Sequence, residues 1–469
     1  MNPGNAGGGK GPWFKASDGR SNNQEIGVSL QTPTKIRKLQ KALHAKAKES
    51  PSYRFYLLYD KLYRPDVLDY AFRLCRGKRG AAGVDAQSFE AISRYGTERW
   101  LGELAEELRS KRYRPSAVKR VYIPKANGKQ RPLGIPTIRD RVVQTAAVVV
   151  MGPIFEADLQ PEQYAYRPGR GALDAVRRAH RLINRGYTEV VDADVSSYFD
   201  TIPHGQLMKS VARRISDRHM LHLIKMWLTV AVEEDDGRGG TRRTTVSKDT
   251  KRGIPQGAPI SPLLSNLYMR RLVLGWAVLG HRDRLNAYIV NYADDLLICC
   301  QKGRGREALR SVARIVDRLG LKLNELKTHI CQVPEQSVDF LGYTIGRGYS
   351  PKTGRAYIGT RPSRRSVKRL TRSISTMTSR RWLLLDADKV VQRLNKLLIG
   401  WSNYFMLGPV SKAYKAVDRH STDRLRRWLC CKHKQPGRGT ARYPNEYLYQ
   451  SLGLARLEMR TQSLPWAKA

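Results

Sequence analysis

Apolar positions with helical spacing define the first part of the chain. Residues 1–32 are rich in Gly, Asn and Ser, which predicts a flexible tail. Between 34 and 75 the apolar residues recur every three or four positions, which predicts short amphipathic helices interrupted near Pro51 and Pro65. A further helical region is predicted to reach about Arg112.

The pattern then changes to a mixture of strands and helices. Alternation over 118–123 predicts a strand, and the Asn-Gly pair at 127–128 predicts a tight turn, so we expect a basic hairpin here. An apolar helix is predicted from Asp140 to about Phe155. Strands, helices and hairpins alternate to about Ile345, which is typical of an α/β (α+β) fold.

Two apolar segments in this region end in carboxylates. Asp194 closes the run 190–194, and the two β-rich stretches of 287–298 flank a polar hairpin tip with Asp294 and Asp295. Carboxylates that converge from separate elements repel one another unless cations lie between them, and such hard oxygen ligands suit magnesium. The two segments therefore predict a site for two-metal phosphoryl transfer.

The last quarter of the chain is helical and basic. One face of a predicted helix, with Pro362 in its first turn, carries Arg361, Arg364, Arg365, Lys368, Arg369 and Arg372. Further helices are predicted over 387–405 and around the arginines Arg424, Arg426 and Arg427. Because no acidic residue lies between 361 and 381, repulsion there is uncompensated, which favours a nucleic-acid-binding face over a solvated one.

Composition adds a strong positive charge to this picture. The 469 residues exceed what one hydrophobic core usually serves, which predicts two or three domains. The chain has 85 Lys and Arg against 41 Asp and Glu, a formal charge of +44, and residues 351–469 alone contain 26 basic and 6 acidic residues. Such a charge is self-repulsive without a polyanion, so nucleic acid is the predicted partner.

The cysteines and the start of the chain indicate a soluble cytoplasmic protein with no membrane partner. None of the six cysteines has the spacing of a zinc module or a secreted disulfide framework, and Cys430 and Cys431 beside His433 are interpreted as packing. The first residues lack the apolar core of a secretory signal. The longest nearly apolar stretch, 146–155, is too short to span a bilayer.

Ten motifs occur in a characteristic order along the chain. They are Gly80–Asp85, Ile123–Lys125, Arg131–Pro136, Tyr166–Gly169, Asp194–Asp200, Gly253–Asn266, Tyr292–Asp295, Asn324 with Lys327 and Thr328, Phe340–Tyr343, and Gly400–Phe405. Over about 34–433 the sequence thereby resembles the reverse transcriptases encoded by group II introns, in the bacterial type that lacks an endonuclease. The last motif looks like the maturase signature, which separates group II enzymes from retroviral and retron relatives.

The resemblance implies a right-hand polymerase with fingers, palm and a helical thumb or maturase domain. The expected divisions are a tail at 1–32, an N-terminal extension and fingers at 33–190, a palm at 191–350, a thumb and maturase (X) domain at 351–434, and a C-terminal tail at 435–469 as a candidate DNA-binding segment. Because the chain ends before the endonuclease that the family often carries, we expect another source of primer, such as a nascent strand at a replication fork.

The resemblance also implies roles at the carboxylate site. Asp194 and Asp294, with the carbonyl oxygen of Val195, would bind two Mg²⁺ ions, for which Mn²⁺ is an alternative, and Asp295 would complete the catalytic set. One ion would activate the primer 3′-hydroxyl and the other would hold the triphosphate. Asp192 and Asp200 are interpreted as structural, because two further charges would overfill the site.

Contacts with substrates are implied in the same way. The dNTP contacts are Lys125, Arg131, Phe199 and Gln256, and the template and primer contacts are Gly257 and Lys327. A lysine point charge and an arginine fork on the basic hairpin suit a triphosphate, with a solvated surface as the alternative. The Phe199 ring would exclude a ribose 2′-hydroxyl by overlap, with a core aromatic as its alternative.

The basic C-terminal helices resemble the thumb and maturase region that grips intron RNA and the primer–template duplex. The implied RNA contacts are Arg361, Arg364, Arg365, Lys368, Arg372, Arg426 and Arg427. Phosphate contacts of this kind give salt-dependent affinity and carry little sequence information.

The sequence thus predicts an RNA-directed DNA polymerase, a nucleotidyltransferase that copies group II intron RNA and binds that RNA as a splicing maturase, supporting intron mobility. Its expected partners are the intron RNA, a DNA target and primer, and dNTPs, in a bacterial nucleoid- or RNP-associated setting, as a monomer or a homodimer. Two alternatives stay open. One is an RNA-binding splicing factor with an inactive palm, against which the intact Asp194, Asp294 and Asp295 argue; the other is a related polymerase domesticated for host defence or repair.

Overall fold

The computed structural model of the chain describes residues 31–124, 130–236, 240–350 and 353–461. These residues fall into two compact units. The first comprises the described parts of Met1–Gly171, Ala193–Leu296 and Glu307–Thr328, and the second those of Ala172–Asp192, Leu297–Arg306 and His329–Ala469. Within the described ranges, no helix has both the length and the apolar character needed to cross a bilayer.

Helices and strands alternate along the chain. The helices are α1 (Thr34–Glu49), α2 (Pro65–Gly77), α3 (Phe89–Tyr95), α4 (Thr97–Arg109), α5 (Ile138–Glu156), α6 (Ala172–Asn184), α7 (Tyr198–Thr201), α8 (His204–Ala212), α9 (Arg218–Leu228), α10 (Val246–Thr250), α11 (Ser261–Val278), α12 (His281–Arg284), α13 (Gly305–Arg318), α14 (Arg364–Met377), α15 (Ala387–Tyr404), α16 (Ser411–Lys432) and α17 (Leu457–Arg460). The strands are β1 (Val118–Pro124), β2 (Gln130–Ile135), β3 (Glu189–Asp194), β4 (Val232–Asp235), β5 (Thr241–Thr244), β6 (Ala287–Tyr292), β7 (Asp295–Cys300), β8 (His329–Gln332), β9 (Val338–Phe340), β10 (Tyr343–Tyr349) and β11 (Ala356–Pro362).

Helix α5 forms the core of the first unit. Its sequence is apolar on nearly all sides, and almost the whole helix is buried, with α1 and α2 packed against it. On α1, the Gln40 side-chain amide donates to the carbonyl of Val149 at 3.0 Å. The helix begins where the Thr137 hydroxyl oxygen accepts from the Asp140 N–H at 3.1 Å. The apolar helix predicted from the sequence is confirmed.

Strands β1 and β2 form the basic hairpin that the sequence predicts. They are antiparallel, with Ile123 opposite Arg131, and β1 also pairs in parallel with β4 in a sheet of order β2-β1-β4-β5. The hairpin strands are therefore confirmed. The turn 125–129, which includes the predicted triphosphate contact Lys125, lies outside the described residues.

Strands β3, β6 and β7 carry the acidic motifs. They belong to a sheet of order β6-β7-β3-β8, and most of their residues are buried. Asp194 is the last residue of β3. Ala293, with φ 56°, and Asp294 form the turn between β6 and β7, whereas Asp295 begins β7. The predicted strand and hairpin are confirmed, with Asp295 one step past the turn.

The second unit combines a small sheet with a helical cluster. The sheet has the antiparallel order β11-β10-β9. Helices α14, α15 and α16 bury a common apolar cluster, to which Leu448, Leu454 and Leu457 also contribute. Part of the chain beyond residue 434 is thus packed with these helices.

Arg361 lies on a strand and not on a helix. Strand β11 pairs with β10 as far as Pro362. Helix α14 begins at Arg364, after Ser363, whose hydroxyl oxygen accepts from the N–H of Ser366 at 3.2 Å. The expectation that Pro362 lies in the first turn of the helix is therefore wrong, because the serine cap fixes the helix start further along the chain.

Candidate active site

One cavity of the first unit brings the two acidic motifs together. It has a volume of about 1450 Å³, and both Asp194 and Asp294 line it. Strand β3 delivers Asp194 as its last residue, and the turn after β6 delivers Asp294. Asp295 does not line the cavity: it is exposed at the start of β7. Two of the three predicted catalytic carboxylates therefore share the site, and the third lies beside it.

The electrostatics of the cavity favour a cation between these carboxylates. Burial raises the pKa of the Asp294 carboxyl above its ordinary value, and the negative charge of Asp194 raises it further. Arg131 and Lys327 act in the opposite direction and lower the same pKa. The two acidic groups thus interact across the cavity, and positive charge near them relieves their repulsion.

Lys327 is held directly against Asp194. Its Nζ lies 2.9 Å from Asp194 Oδ2, and 64% of the lysine side chain is exposed. The loop that carries the lysine is fastened to the end of β3, since the Asn324 N–H donates to the Asp194 carbonyl at 2.8 Å and the Ser196 N–H donates to Lys322 at 2.8 Å. This predicted primer–template contact therefore lies at the carboxylate site itself.

Asn291 organises the acidic turn and was not expected from the sequence. It is fully buried, and its side-chain amide donates to the carbonyls of Ala293 at 2.9 Å and Asp295 at 3.3 Å. These bonds hold the turn that presents Asp294. The sequence did contain one indication of this role, an asparagine within an otherwise apolar strand. A buried polar side chain is almost always hydrogen-bonded, so such a residue is expected to hold a nearby backbone segment.

The donor set of the cavity fits divalent metal ions. Asp194 and Asp294 offer hard oxygen ligands, and Val195 lines the same cavity. Among the described residues, no group of three or more His, Cys, Asp or Glu side chains could hold a metal by itself. Magnesium is usually bound through one or two carboxylates together with waters and substrate phosphates. The residues present therefore suit an ion whose coordination is completed by a phosphate-bearing substrate.

Three of the predicted nucleotide contacts, Arg131, Phe199 and Gln256, line this cavity. Arg131 on β2 lines it and lies near enough to lower the pKa of Asp294. The half-buried Phe199 also lines it, and its ring packs edge-on against Tyr198 with centroids 5.8 Å apart. Tyr198 is buried and donates its hydroxyl to the Ser265 carbonyl at 2.7 Å, so Phe199 rests on a fixed neighbour.

The turn at Gln256 and Gly257 packs against the basic hairpin. The Gln256 side-chain amide donates to Asp200 at 3.1 Å, and Asp200 lines the same cavity. Gly257 has φ +106°, and a Cβ there would lie 2.6 Å from the carbonyl oxygen of Gly134. The glycine is therefore required by a close approach of two backbones within the protein.

Tyr166 and Arg167 are site residues to which sequence reasoning gave no role. Tyr166 lines the cavity with φ 54°, a rare conformation for a tyrosine, and its pKa is raised by burial and by the charge of Asp294. The buried Arg167 donates to the Glu156 carboxylate at 2.6 Å and to the Gln163 carbonyl at 2.9 Å. Their only signal was the motif Tyr166–Gly169.

The predicted RNA contacts of the second unit divide into two groups. Exposed basic residues on α14 and α16 are Arg364, Arg365, Lys368, Arg372 and Arg427. Arg426 instead is buried and donates to the Tyr443 carbonyl at 2.9 Å and to the Asn445 side chain at 2.7 Å. We therefore assign Arg426 a structural role, because its guanidinium is engaged inside the protein.

Comparisons with known proteins identify two regions of the chain and several relatives. The model for reverse transcriptase (RNA-dependent DNA polymerase) matches residues 123–345, and that for the group II intron, maturase-specific domain matches 367–445. Protein YkfC of Escherichia coli (strain K12) is 35% identical over 349 residues, which cover 66% of this chain and 88% of that protein. Group II intron-encoded protein LtrA of Lactococcus lactis subsp. cremoris is 30% identical over 221 residues, 46% of this chain and 35% of that protein.

The two matched regions follow one another in a single chain. The first is the region of an RNA-directed DNA polymerase, and the second is specific to group II intron maturases. Asp194, Asp294 and most of the other residues that line the cavity lie within the first region, and the rest lie between residues 40 and 80. The chain therefore belongs to the family of group II intron reverse transcriptases and maturases.

Proposed function

We propose that this reverse transcriptase adds deoxynucleotides to a primer in the cavity lined by Asp194 and Asp294, using group II intron RNA as the template. The observation that carries the proposal is the convergence of these carboxylates with Arg131 in one cavity. An RNA-binding protein with an inactive palm would gain nothing from holding two mutually repelling carboxylates together. The bacterial relatives support a bacterial cytoplasmic setting, where RNA, primer and dNTPs are all present.

Different residues of the chain have different roles in nucleotide addition. Asp194 and Asp294, with the Val195 carbonyl, would hold two Mg²⁺ or Mn²⁺ ions, which when bound lower the pKa of the primer 3′-hydroxyl and neutralise the triphosphate. Arg131 provides a planar guanidinium that binds phosphate oxygens in pairs. Phe199 limits the space beside the sugar, and Gln256, whose side-chain amide donates to Asp200, would contact the nascent base pair.

Primer extension tests this proposal. Given a DNA primer annealed to an RNA template, all four dNTPs and Mg²⁺, the purified chain is expected to extend the primer to the end of the template. EDTA is expected to stop synthesis, and Mn²⁺ to support it in place of Mg²⁺, because both ions accept carboxylate and phosphate oxygens. A wild-type chain that leaves the primer unextended would contradict the proposal, and extension in excess EDTA would contradict its metal requirement.

We also propose that the exposed basic face of α14 binds the phosphates of intron RNA. Arg364, Arg365 and Lys368 are exposed on this helix, and no acidic residue lies between 361 and 381 to offset them. Bound phosphates would relieve the repulsion among these cations and release counterions. This face would supply affinity, with sequence read elsewhere.

Replacing Arg364, Arg365 and Lys368 together by Ala is expected to flatten the salt dependence of intron RNA binding. Each lost phosphate contact removes roughly 0.7 to 0.9 from the slope of log affinity against log salt, so the slope should fall by about two units. The measurement is fluorescence anisotropy across a salt series. A matched control replaces Arg73, Arg99 and Arg109, which also removes three charges.

The control residues differ from the α14 residues in one respect that matters. Each is exposed but paired with a carboxylate on its own helix: Arg73 with Asp69, Arg99 with Glu103 and Arg109 with Glu106. Such cations are already compensated and offer less to RNA. If the α14 variant and the control variant have equal salt slopes, α14 is ordinary solvated surface and the proposal that it binds RNA is wrong.

A further inference from the structure

The hairpin formed by β10 and β11 contains an unusual glycine-lined face. Gly346 pairs with Gly359, and the next pair on that face is Gly348 with Tyr357. Alternate residues of a strand point to the same face, so these four positions share one face. Three of them have no side chain, and the fourth is a large aromatic residue. Ser337 covers the Gly346 end of this face, since a Cβ added at Gly346 would lie 2.7 Å from the Ser337 Cβ.

The Tyr357 ring lies against the bare backbone of its neighbours. A Cβ added at Gly348 would come 3.0 Å from Tyr357 Cζ, and one added at Gly359 would come 2.8 Å from Cε2. The ring therefore spans both glycines, and neither position could carry a side chain without displacing it. With 38% of the tyrosine still exposed, part of the ring remains open to solvent.

The charges around this ring are positive. Arg355 is exposed just before β11, and Arg361, on the same face as Tyr357, is half-buried and donates to the Arg347 carbonyl at 3.2 Å. Arg347 itself is exposed on the opposite face of the hairpin. Within the described part of the chain, none of the three takes part in an ion pair. The nearest acidic group on the sheet, Asp339, is bonded to Thr344 at the opposite end of the glycine-lined face.

We propose that Tyr357 and its flanking arginines form a platform for a single-stranded segment of nucleic acid. One base stacks on the open part of the Tyr357 ring, and Arg355 and Arg361 contact the adjacent phosphates. Every base has a π-face, so stacking of this kind tolerates any sequence. The inference rests on the proposed function, for which the single strand would be template or product.

The glycines also explain why this platform is rigid. A tyrosine on an ordinary strand would lie among flanking side chains and could rotate away from a bound base. Here the ring is supported from below by backbone at Gly348 and Gly359, so little conformational freedom remains to be lost on binding. The orientation of the ring is therefore set before the nucleic acid arrives.

The platform is tested by measuring the binding of two unstructured 20-nucleotide strands, U₂₀ and dT₂₀, to the full chain. At raised salt, where phosphate contacts count least, Tyr357→Ala is expected to weaken the affinity about tenfold, since one stacked base contributes a factor of this order. Tyr357→Phe keeps the ring and should remain within about twofold of the wild type. Gly359→Ala retains the tyrosine, but its added methyl group would lie 2.8 Å from Cε2, so the ring must shift and binding should also weaken.

The control for this experiment is Tyr95→Ala. Tyr95 is also exposed but lies on α3 and donates its hydroxyl to Glu103 at 2.7 Å, with no glycine face beneath it. An affinity of Tyr357→Ala equal to that of Tyr95→Ala would overturn the proposal. Equal losses for single strands and for duplex would overturn the single-strand assignment. A loss confined to U₂₀ or to dT₂₀ would support the platform and identify the strand it holds.

This experiment can fail independently of the polymerase assignment. Asp294→Asn is expected to retain the full Tyr357-dependent binding, because the two residues lie in different parts of the chain and the assay involves no synthesis. Primer extension by the wild type together with no effect of Tyr357→Ala would remove only the platform. Tyr357-dependent binding by a chain that does not extend primers would remove only the catalytic proposal.

Discussion

Asp294→Asn is expected to abolish DNA synthesis while leaving binding of intron RNA nearly unchanged. The substitution keeps the shape of the side chain but removes one of the two carboxylates that line the cavity. Metal-assisted charge stabilisation contributes several kcal/mol to phosphoryl transfer, which corresponds to a loss of rate on the order of a thousandfold or more. Single-nucleotide primer extension measures this loss directly.

Asp192→Asn is the matched control for that variant. Asp192 lies on the same strand as Asp194, two residues earlier, and its carboxylate is 4.0 Å from His329. Asp192 is half-buried and does not line the cavity, so its replacement by the isosteric Asn should leave the extension rate within a few fold of the wild type. Substantial synthesis by Asp294→Asn, or equal losses in the two variants, would remove the catalytic role proposed for Asp294.

Phe199→Ala is expected to let the enzyme incorporate ribonucleotides. The ring lines the cavity and rests on the buried Tyr198, so it cannot move aside for an additional hydroxyl group. Forcing extra atoms into a packed site costs about 1–3 kcal/mol, and relief of that cost should reduce the preference for dNTPs over rNTPs by roughly ten- to a hundredfold. The measurement is the ratio of kcat/KM values for a dNTP and the matching rNTP.

Phe199→Tyr serves as the control because it retains the ring. Its sugar preference should stay close to that of the wild type, and thermal unfolding of both variants would show whether the Tyr198 contact matters for stability. If Phe199→Ala lowers the unfolding temperature but leaves the dNTP preference intact, Phe199 is a packing residue, which is the alternative its sequence also permits.

The acidic strands could be predicted from the sequence because their information is local. An apolar run that ends in Asp194, and two apolar runs around Asp294, define a strand and a hairpin with little help from the rest of the chain. The same holds for α5, whose uniformly apolar sequence indicates burial on all sides. Local periodicity was sufficient wherever the residues of one element determine which of its faces are buried.

Other features depend on partners that are distant in the sequence. The contact of Lys327 with Asp194 exists because the loop after residue 321 is fastened to the end of β3, and no pattern within the loop indicates this. Arg426 has the spacing of a surface arginine, yet its acceptors are at Tyr443 and Asn445, in a segment without clear periodicity. For Arg361, basic residues fit both a helix face and a strand, and the Ser363 cap was the decisive signal.

The close packing of Gly134 on Gly257 couples two walls of the cavity, so that the two walls move together. The Gly134 N–H donates to the Gln256 carbonyl at 2.7 Å, and no side chain separates the two backbones. Any swing of β2, which carries Arg131, would pull the turn with Gln256 along with it. Arg131 and Gln256 both line the cavity, so a displacement of the hairpin would change the shape of two of its walls together.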